Sequence, residues 1–206
     1  MTQRIDDVRK RAQRIMEDAN VLLEGHFDFG NGYHGRTYVN PHMLFCRPST
    51  IWQLAQDLLD VLPYDLTTRT EAVVGPATGG ALLAHTLAGL LDGRRDLEHR
   101  PLVFAPIDFH REQGLRLRST YRSVLAGRKV LLADDVRNTG KTLSHCEELV
   151  REAGGEVIAT VQLYDRMASV VTLDVPNHAL LAHDARDIHT SPTCPQCAAG
   201  VPLTTF

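Results

Sequence analysis

The sequence predicts an α/β fold, a mainly parallel sheet flanked by helices. Two observations carry this. From residue 72 onward, short apolar runs alternate with segments of helical period. The runs are continuous rather than alternating in polarity, as expected of strands buried on both faces. A third observation points to a ligand: two of these runs end in glycine-containing turns that lead into helices.

The elements follow in order. Ile5, Val8, Ala12, Ile15, Ala19 and Leu22 recur at helical spacing and predict an amphipathic helix over 3–24. Residues 25–40, GHFDFGNGYHGRTYVN, interleave four glycines with aromatics and predict a turn-rich hairpin. A helix capped by Ser49 or Thr50 is expected to end before Pro63. Strands are expected at 72–75, 102–105, 129–133 and 157–164, with helices at 80–91 and 140–153. Further strands at 170–173 and 179–181 extend the sheet, and the chain from Ser191 reads as irregular.

Composition bounds the function. The 206 residues are 43% hydrophobic and 23% charged, a globular balance that excludes a disordered chain. A net charge of -3 argues against a general nucleic-acid or polybasic membrane binder. The apolar stretch at 81–91 is interrupted by His85 and Thr86 and is too short to span a bilayer. The start, MTQRIDDVRKRAQR, has no apolar signal core, so a cytoplasmic protein with reduced thiols is expected.

The most informative segment is 130–142, VLLADDVRNTGKT. Four apolar residues form a buried strand, Asp134 and Asp135 follow, and Arg137, Asn138, Thr139, Gly140, Lys141 and Thr142 lead into a helix. A helix N-terminus presents free N–H groups to an anion. Gly140 permits close backbone approach, Thr139 and Thr142 offer hydroxyls, and Lys141 adds charge. Paired carboxylates accept hydrogen bonds from hydroxyls, so a sugar phosphate fits the whole segment. The local alternative is a turn whose aspartates only cap the helix. A triphosphatase P-loop is excluded, because the acids stand where its first glycine is needed. Residues 72–84, AVVGPATGGALLA, give a second strand, glycine turn and helix, with Ala77, Thr78, Gly79 and Gly80 in the turn. Its spacing does not match a dinucleotide fingerprint.

The run LLADDVRNTGKT resembles the phosphoribosyl-diphosphate (PRPP) signature of type I phosphoribosyltransferases, and the chain resembles the orotate-specific members most. That resemblance implies that Asp134 and Asp135 bind ribose hydroxyls, that 137–142 hold the 5′-phosphate, and that 77–80 touch the diphosphate. GHFDFGNGYHGRTYVN resembles the hood those enzymes place over the base, which brings in Tyr38; the local alternative is a structural hairpin with Phe27, Phe29 and Tyr38 as its core. VQLYDR resembles their strand ending in Asp-Arg, so Arg166 is expected on the base carboxylate, where a guanidinium fork suits a planar anion. The tail CPQCAAGVPL is similar to a terminal segment of some orotate-type sequences. The resemblance implies one domain over 1–206: N-terminal helices and hood to 65, an α/β core over 66–185, and a cysteine-containing tail over 186–206.

Between His110 and Lys129, Arg111, Arg116, Arg118, Arg122 and Arg128 face a single acid, Glu112. A long basic excursion between strands is expected to act as a lid over a departing diphosphate, or to be a solvated surface. By resemblance this is the catalytic loop, which in the orotate enzymes carries a lysine. Here no lysine lies between Pro101 and Arg128, and His110 and Arg111 hold its place. Either these two serve instead, or the base is not orotate, or catalysis is lost.

The expected function is therefore transfer of phosphoribosyl from PRPP to a nucleobase such as orotate, by a Mg²⁺-assisted homodimer with the metal carried on PRPP. Alternatives are a purine or other base phosphoribosyltransferase and a noncatalytic PRPP or nucleotide sensor. Cys194-Pro-Gln-Cys197 supplies at most half a zinc site, with His183 and His189 upstream at unusual spacing. If zinc does bind there, a zinc-dependent interaction module is a third reading. Cys46 and Cys146 are expected to be small buried side chains.

Overall fold

A computed structural model describes residues 2–29, 32–95, 100–112, 114–166, 171–182 and 188–205. The chain opens with α1 (Thr2–Asp18), a hairpin of β1 (Leu22–Asp28) and β2 (Tyr33–Val39), and helices α2 (His42–Phe45), α3 (Pro48–Val61) and α4 (Tyr64–Arg69). The α/β portion follows as β3 (Ala72–Pro76), α5 (Gly79–Asp92), β4 (Val103–His110), β5 (Gly114–Arg116), α6 (Ser119–Leu125), β6 (Lys129–Arg137), α7 (Lys141–Glu152), β7 (Glu156–Asp165) and β8 (Asn177–Ala182). A short β9 (Ile188–Thr190), a 3₁₀ turn (Ser191–Thr193) and α8 (Pro195–Ala198) complete the described elements.

The main sheet runs in the order β5-β4-β3-β6-β7-β8 and is parallel except for the antiparallel β4–β5 pair. Alternate residues of one strand feed opposite cores. Leu131 and Ala133 face the layer built by α1, α3 and α5, while Val130 and Leu132 face the layer of α6 and α7. Burial on both faces explains why the strands read as continuous apolar runs. Asp57 anchors α3 to α1: its buried carboxylate accepts hydrogen bonds from Arg11 and, at 2.9 Å, from Gln53. A separate small sheet, β1-β2-β9, stands beside the main one.

After β3 the chain adds β4 on one side, then returns to lay β6 on the other side of β3. The carboxyl ends of β3 and β6 therefore flank the switch point where an open α/β sheet leaves a crevice.

Several expectations are corrected. The first helix stops at Asp18, because Asn20 takes a left-handed conformation (φ 48°) and Leu22 already begins β1. The next long helix starts at Pro48, whose fixed φ suits the first turn; neither Ser49 nor Thr50 caps it. Val171 to Leu173 form no strand, and the Val171 N–H instead donates to Thr139 O; Val170 lies outside the described residues. The basic segment is no single excursion. It folds into the β4–β5 hairpin and α6, and three of its cations have structural partners: Arg118 with Asp108, Arg122 with Glu152 at 3.4 Å, and Arg128, buried, on the carbonyls of Glu71 and Pro101. The tail is ordered into β9 and α8, and Cys46 is exposed rather than buried, unlike Cys146.

Candidate active site

The crevice at the switch point is a cleft of about 580 Å³. It is lined from β3 and its turn by Pro76, Ala77, Thr78, Gly79 and Gly80, and from β6 and its loop by Asp134, Asp135, Asn138, Lys141 and Thr142. Tyr38 and His42 close one wall, and Phe109 and Leu115 of the basic hairpin another.

Asp134 and Asp135 lie within β6, not beyond it, since the strand continues to Arg137. Asp134 is buried. Loss of hydration, reinforced by the neighbouring Asp135 charge, pushes its carboxyl well above the usual carboxylate range. Burial also raises Asp135, opposed by the Val136 N–H that donates to Oδ1 at 2.7 Å and by the charge of His42. The acids explain the glycines opposite them. A Cβ on Gly79 would overlap Asp135 Oδ2, and one on Gly80 would come within 2.7 Å of Asp134 Oδ1. The turn is side-chain-free because the carboxylates occupy that space. The Ala77 N–H already donates to Ile107 O at 2.8 Å, so the backbone donors that suit an anion begin after it, at Thr78 and the first turn of α5.

A smaller cavity of about 80 Å³ adjoins the cleft, lined by Arg137, Asn138, Thr139, Gly140 and Thr142, with Asp134 and Phe29 at its rim. It lies at the N-terminus of α7, whose first N–H groups carry no side-chain cap. Gly140 has a left-handed φ of 82°, and a Cβ there would collide with Val171 O, so glycine is required twice over. Arg137 is held from behind. Its Nη1 donates to Asp165 Oδ2 at 3.2 Å, and the same oxygen accepts from Asn177 Nδ2 at 2.9 Å. Lys141 sits with Nζ 5.3 Å from the Tyr33 ring centroid.

The hood meets the site through aromatics. Phe29 and Tyr38 stack with ring planes 10° apart, and Arg166 lies over Phe29 at 4.3 Å from the ring centroid. Tyr38 lines the cleft, and burial together with Asp135 raises its hydroxyl pKa. Arg166 is fully buried and lines neither cavity. His110 and Arg111 stand exposed at the hairpin tip, outside the cleft lining, which that hairpin reaches through Phe109, Gly114 and Leu115. Sequence reasoning missed His42 and His145 on the cleft wall, Tyr33 beneath Lys141, and Asp165 behind Arg137. Only Asp165 carried a signal, as the Asp of the Asp-Arg pair ending a strand.

The model of the Phosphoribosyl transferase domain matches residues 53–177, which span both glycine turns and the paired acids. The chain belongs to the phosphoribosyltransferase family. It is 32% identical to the orotate phosphoribosyltransferase of Carboxydothermus hydrogenoformans over 92% of this chain and 93% of that one. It is 33% identical to that of Thermotoga maritima, over 92% and 94%. The fold is similar to the crystal structure of orotate phosphoribosyltransferase from Aeropyrum pernix, with a TM-score of 0.64 and 22% identity over 82% of this chain and 92% of that one. It is also similar to adenine phosphoribosyltransferase from Thermoanaerobacter pseudethanolicus, with a TM-score of 0.58 and 18% identity over 81% and 98%. Among the described residues, no helix of this phosphoribosyltransferase is long and apolar enough to cross a membrane.

Proposed function

We infer that the chain is an orotate phosphoribosyltransferase, which moves the 5-phosphoribosyl group of PRPP to a ring nitrogen of orotate and releases diphosphate. The observation that carries this is the placement of the paired acids between the two helix-entry loops, beneath the aromatic hood. The small cavity suits the 5′-phosphate, the carboxylates suit the ribose hydroxyls, and the Thr78–Gly80 turn suits the diphosphate. Identity to orotate enzymes over nearly the whole chain supports the choice of base.

The nitrogen–C1 bond forms as the C1–oxygen bond breaks; diphosphate leaves with the electron pair, and the proton released by the ring nitrogen passes to the departing diphosphate. Positive charge develops at C1 in the transition state, and the buried acids below the sugar stabilise it. The protein's remaining work is to orient the two reactants and exclude water. Magnesium fits the site: PRPP's own diphosphate and hydroxyls would hold it, with Asp134 and Asp135, both raised chiefly by loss of hydration, as nearby hard oxygens that gain from a cation beside them. When bound, the ion offsets charge on the leaving diphosphate.

Arg166 is assigned to the orotate carboxylate; since it is buried against Phe29 and lines neither cavity, the assignment requires Phe29 to shift as the base enters. Tyr38 is assigned to the base wall. We assign His110 and Arg111, exposed on the hairpin tip, to the leaving group of a neighbouring protomer in a cytoplasmic homodimer. An imidazole there can pass a proton to the leaving group, whereas the guanidinium supplies charge.

Diphosphate release from PRPP measured with orotate, uracil, adenine and guanine tests the reading. Turnover with orotate alone is expected. Preferred turnover of a purine would replace the substrate, and tight PRPP binding without turnover of any base would make the chain a sensor.

A further inference from the structure

We propose that His26, His34, Cys194 and Cys197 form a structural zinc site that fastens the C-terminal tail to the hood. One ligand atom from each of the four lies within 4.8 Å of every other. Cys194 Sγ is 3.4 Å from His26 Nε2, Cys197 Sγ is 3.7 Å from the same nitrogen, and His34 Nδ1 is 3.1 Å from Cys197 Sγ. Zn–S and Zn–N bonds in a tetrahedron set ligand-to-ligand edges of about 3.4–3.8 Å, so the four atoms are already near the positions of a closed shell. The two residues following Cys194 form the turn into α8 that brings both sulfurs to one side.

Three features mark a built site rather than a chance cluster. His26 Nδ1 lies 2.8 Å from Val201 O, a contact that places the proton on Nδ1 and leaves Nε2 as the lone-pair nitrogen facing the sulfurs. The register shift between Glu24 and Phe27 breaks the in–out alternation of β1, so His26 and Phe27 are both buried. His26 and His34, from adjacent strands of the small sheet, and Cys194, at the start of α8, are all buried. Burying two imidazoles and a thiol together is costly unless they share a strong partner. Four protein ligands leave no open position, so the site is structural and takes no part in turnover. A Cys₂His₂ set favours zinc over the hard cations of the sugar-phosphate cleft.

The tail supports this independently. Gln196 Nε2 donates to Gly25 O at 2.9 Å, the Asp28 N–H donates to Thr204 O at 3.0 Å, and the Thr204 N–H donates to His26 O at 2.7 Å. Zinc would thus join segments about 170 residues apart in sequence, where a cross-link removes most chain entropy from the unfolded state. Among the described residues, the upstream histidine considered with the CxxC pair, His189, is not one of the four. His189 pairs with His34 in the β2–β9 ladder instead, and His183 lies outside the described residues.

The test uses the full chain, purified without a histidine tag. Elemental analysis is expected to find about one zinc per chain. Exchange with Co²⁺ is expected to give tetrahedral visible bands with thiolate charge transfer, lost in C197S. A thiol-modifying mercurial added to the wild-type protein is expected to release the zinc as it titrates the cysteines, a measurement that needs no variant to fold. Protein with reduced thiols that holds less than about 0.1 zinc and gives no thiolate band with Co²⁺ would overturn the proposal. So would a native Cys194–Cys197 disulfide. None of these readouts depends on the base that the enzyme accepts.

Discussion

Arg166 and Phe29 form a stacked pair, with the guanidinium carbon 4.3 Å from the ring centroid and the arginine fully buried. A buried guanidinium holds its charge at any working pH, and the ring fixes its orientation. Phe29 belongs to the hood side of the molecule and Arg166 to the end of β7, so this contact joins the small sheet to the large one.

R166A is expected to raise the KM for orotate by about 10- to 150-fold, with a much smaller change for PRPP, because a lost charged hydrogen bond costs roughly 1.5–3 kcal/mol. R166K is expected to recover little, since an ammonium neither forks nor stacks. Steady-state kinetics with each substrate varied in turn check this. Equal losses for both substrates would place Arg166 in the scaffold alone.

The paired acids predict opposite effects on activity and stability. D134N is expected to lower kcat/KM by about 100-fold or more, yet to raise the melting temperature at neutral pH by removing a buried charge beside Asp135. For the wild type, both folded carboxyls hold their protons more tightly than in the unfolded chain. Their contribution to stability is therefore most favourable below the unfolded carboxylate range, and it falls as pH rises from there through the raised folded values. Thermal unfolding of wild type and D134N across that range reads the difference, which should narrow in acid.

G79A is expected to reduce activity by about tenfold or more, because its Cβ must displace the Asp135 carboxylate. G89A, in the same helix with open space around it, is the control. It should leave activity unchanged and stabilise the fold by about 0.5–1 kcal/mol. Similar activity in both variants would separate the glycine turn from the acids.

Asp165 holds Arg137 at the back of the small cavity through a pair that is nearly buried on both sides. D165A is expected to cost about 3 kcal/mol of stability, as an unpartnered buried charge does, and to raise the KM for PRPP more than that for orotate. D165N, which keeps an acceptor oxygen, should fall between. Denaturation and two-substrate kinetics measure the two effects separately.

The sheet was legible because its strands are apolar on both sides, and the phosphate loop because acids, glycine and threonines sit together in thirteen residues, 130–142. What escaped was decided by contacts distant in sequence. His42 reaches the cleft from a short helix with no motif around it, and His145 only because the first turn of α7 carries it back from the phosphate loop to the cleft wall. The reason for Gly79 and Gly80 lies in β6, more than fifty residues on. The basic segment read as one excursion because nothing local reveals that Arg128 is drawn inward by the carbonyls of Glu71 and Pro101. The cysteine pair could not disclose its histidines, since His26 and His34 lie at the other end of the chain and their spacing of eight residues is bridged by a hairpin.

The sugar-phosphate assignment is tested most directly by a crystal structure with PRPP bound. The 5′-phosphate is expected in the loop of Asn138 to Thr142, with the ribose hydroxyls on Asp134 and Asp135 and the diphosphate against Thr78 to Gly80. Electron density for the donor in another part of the molecule, with that loop vacant, would contradict it.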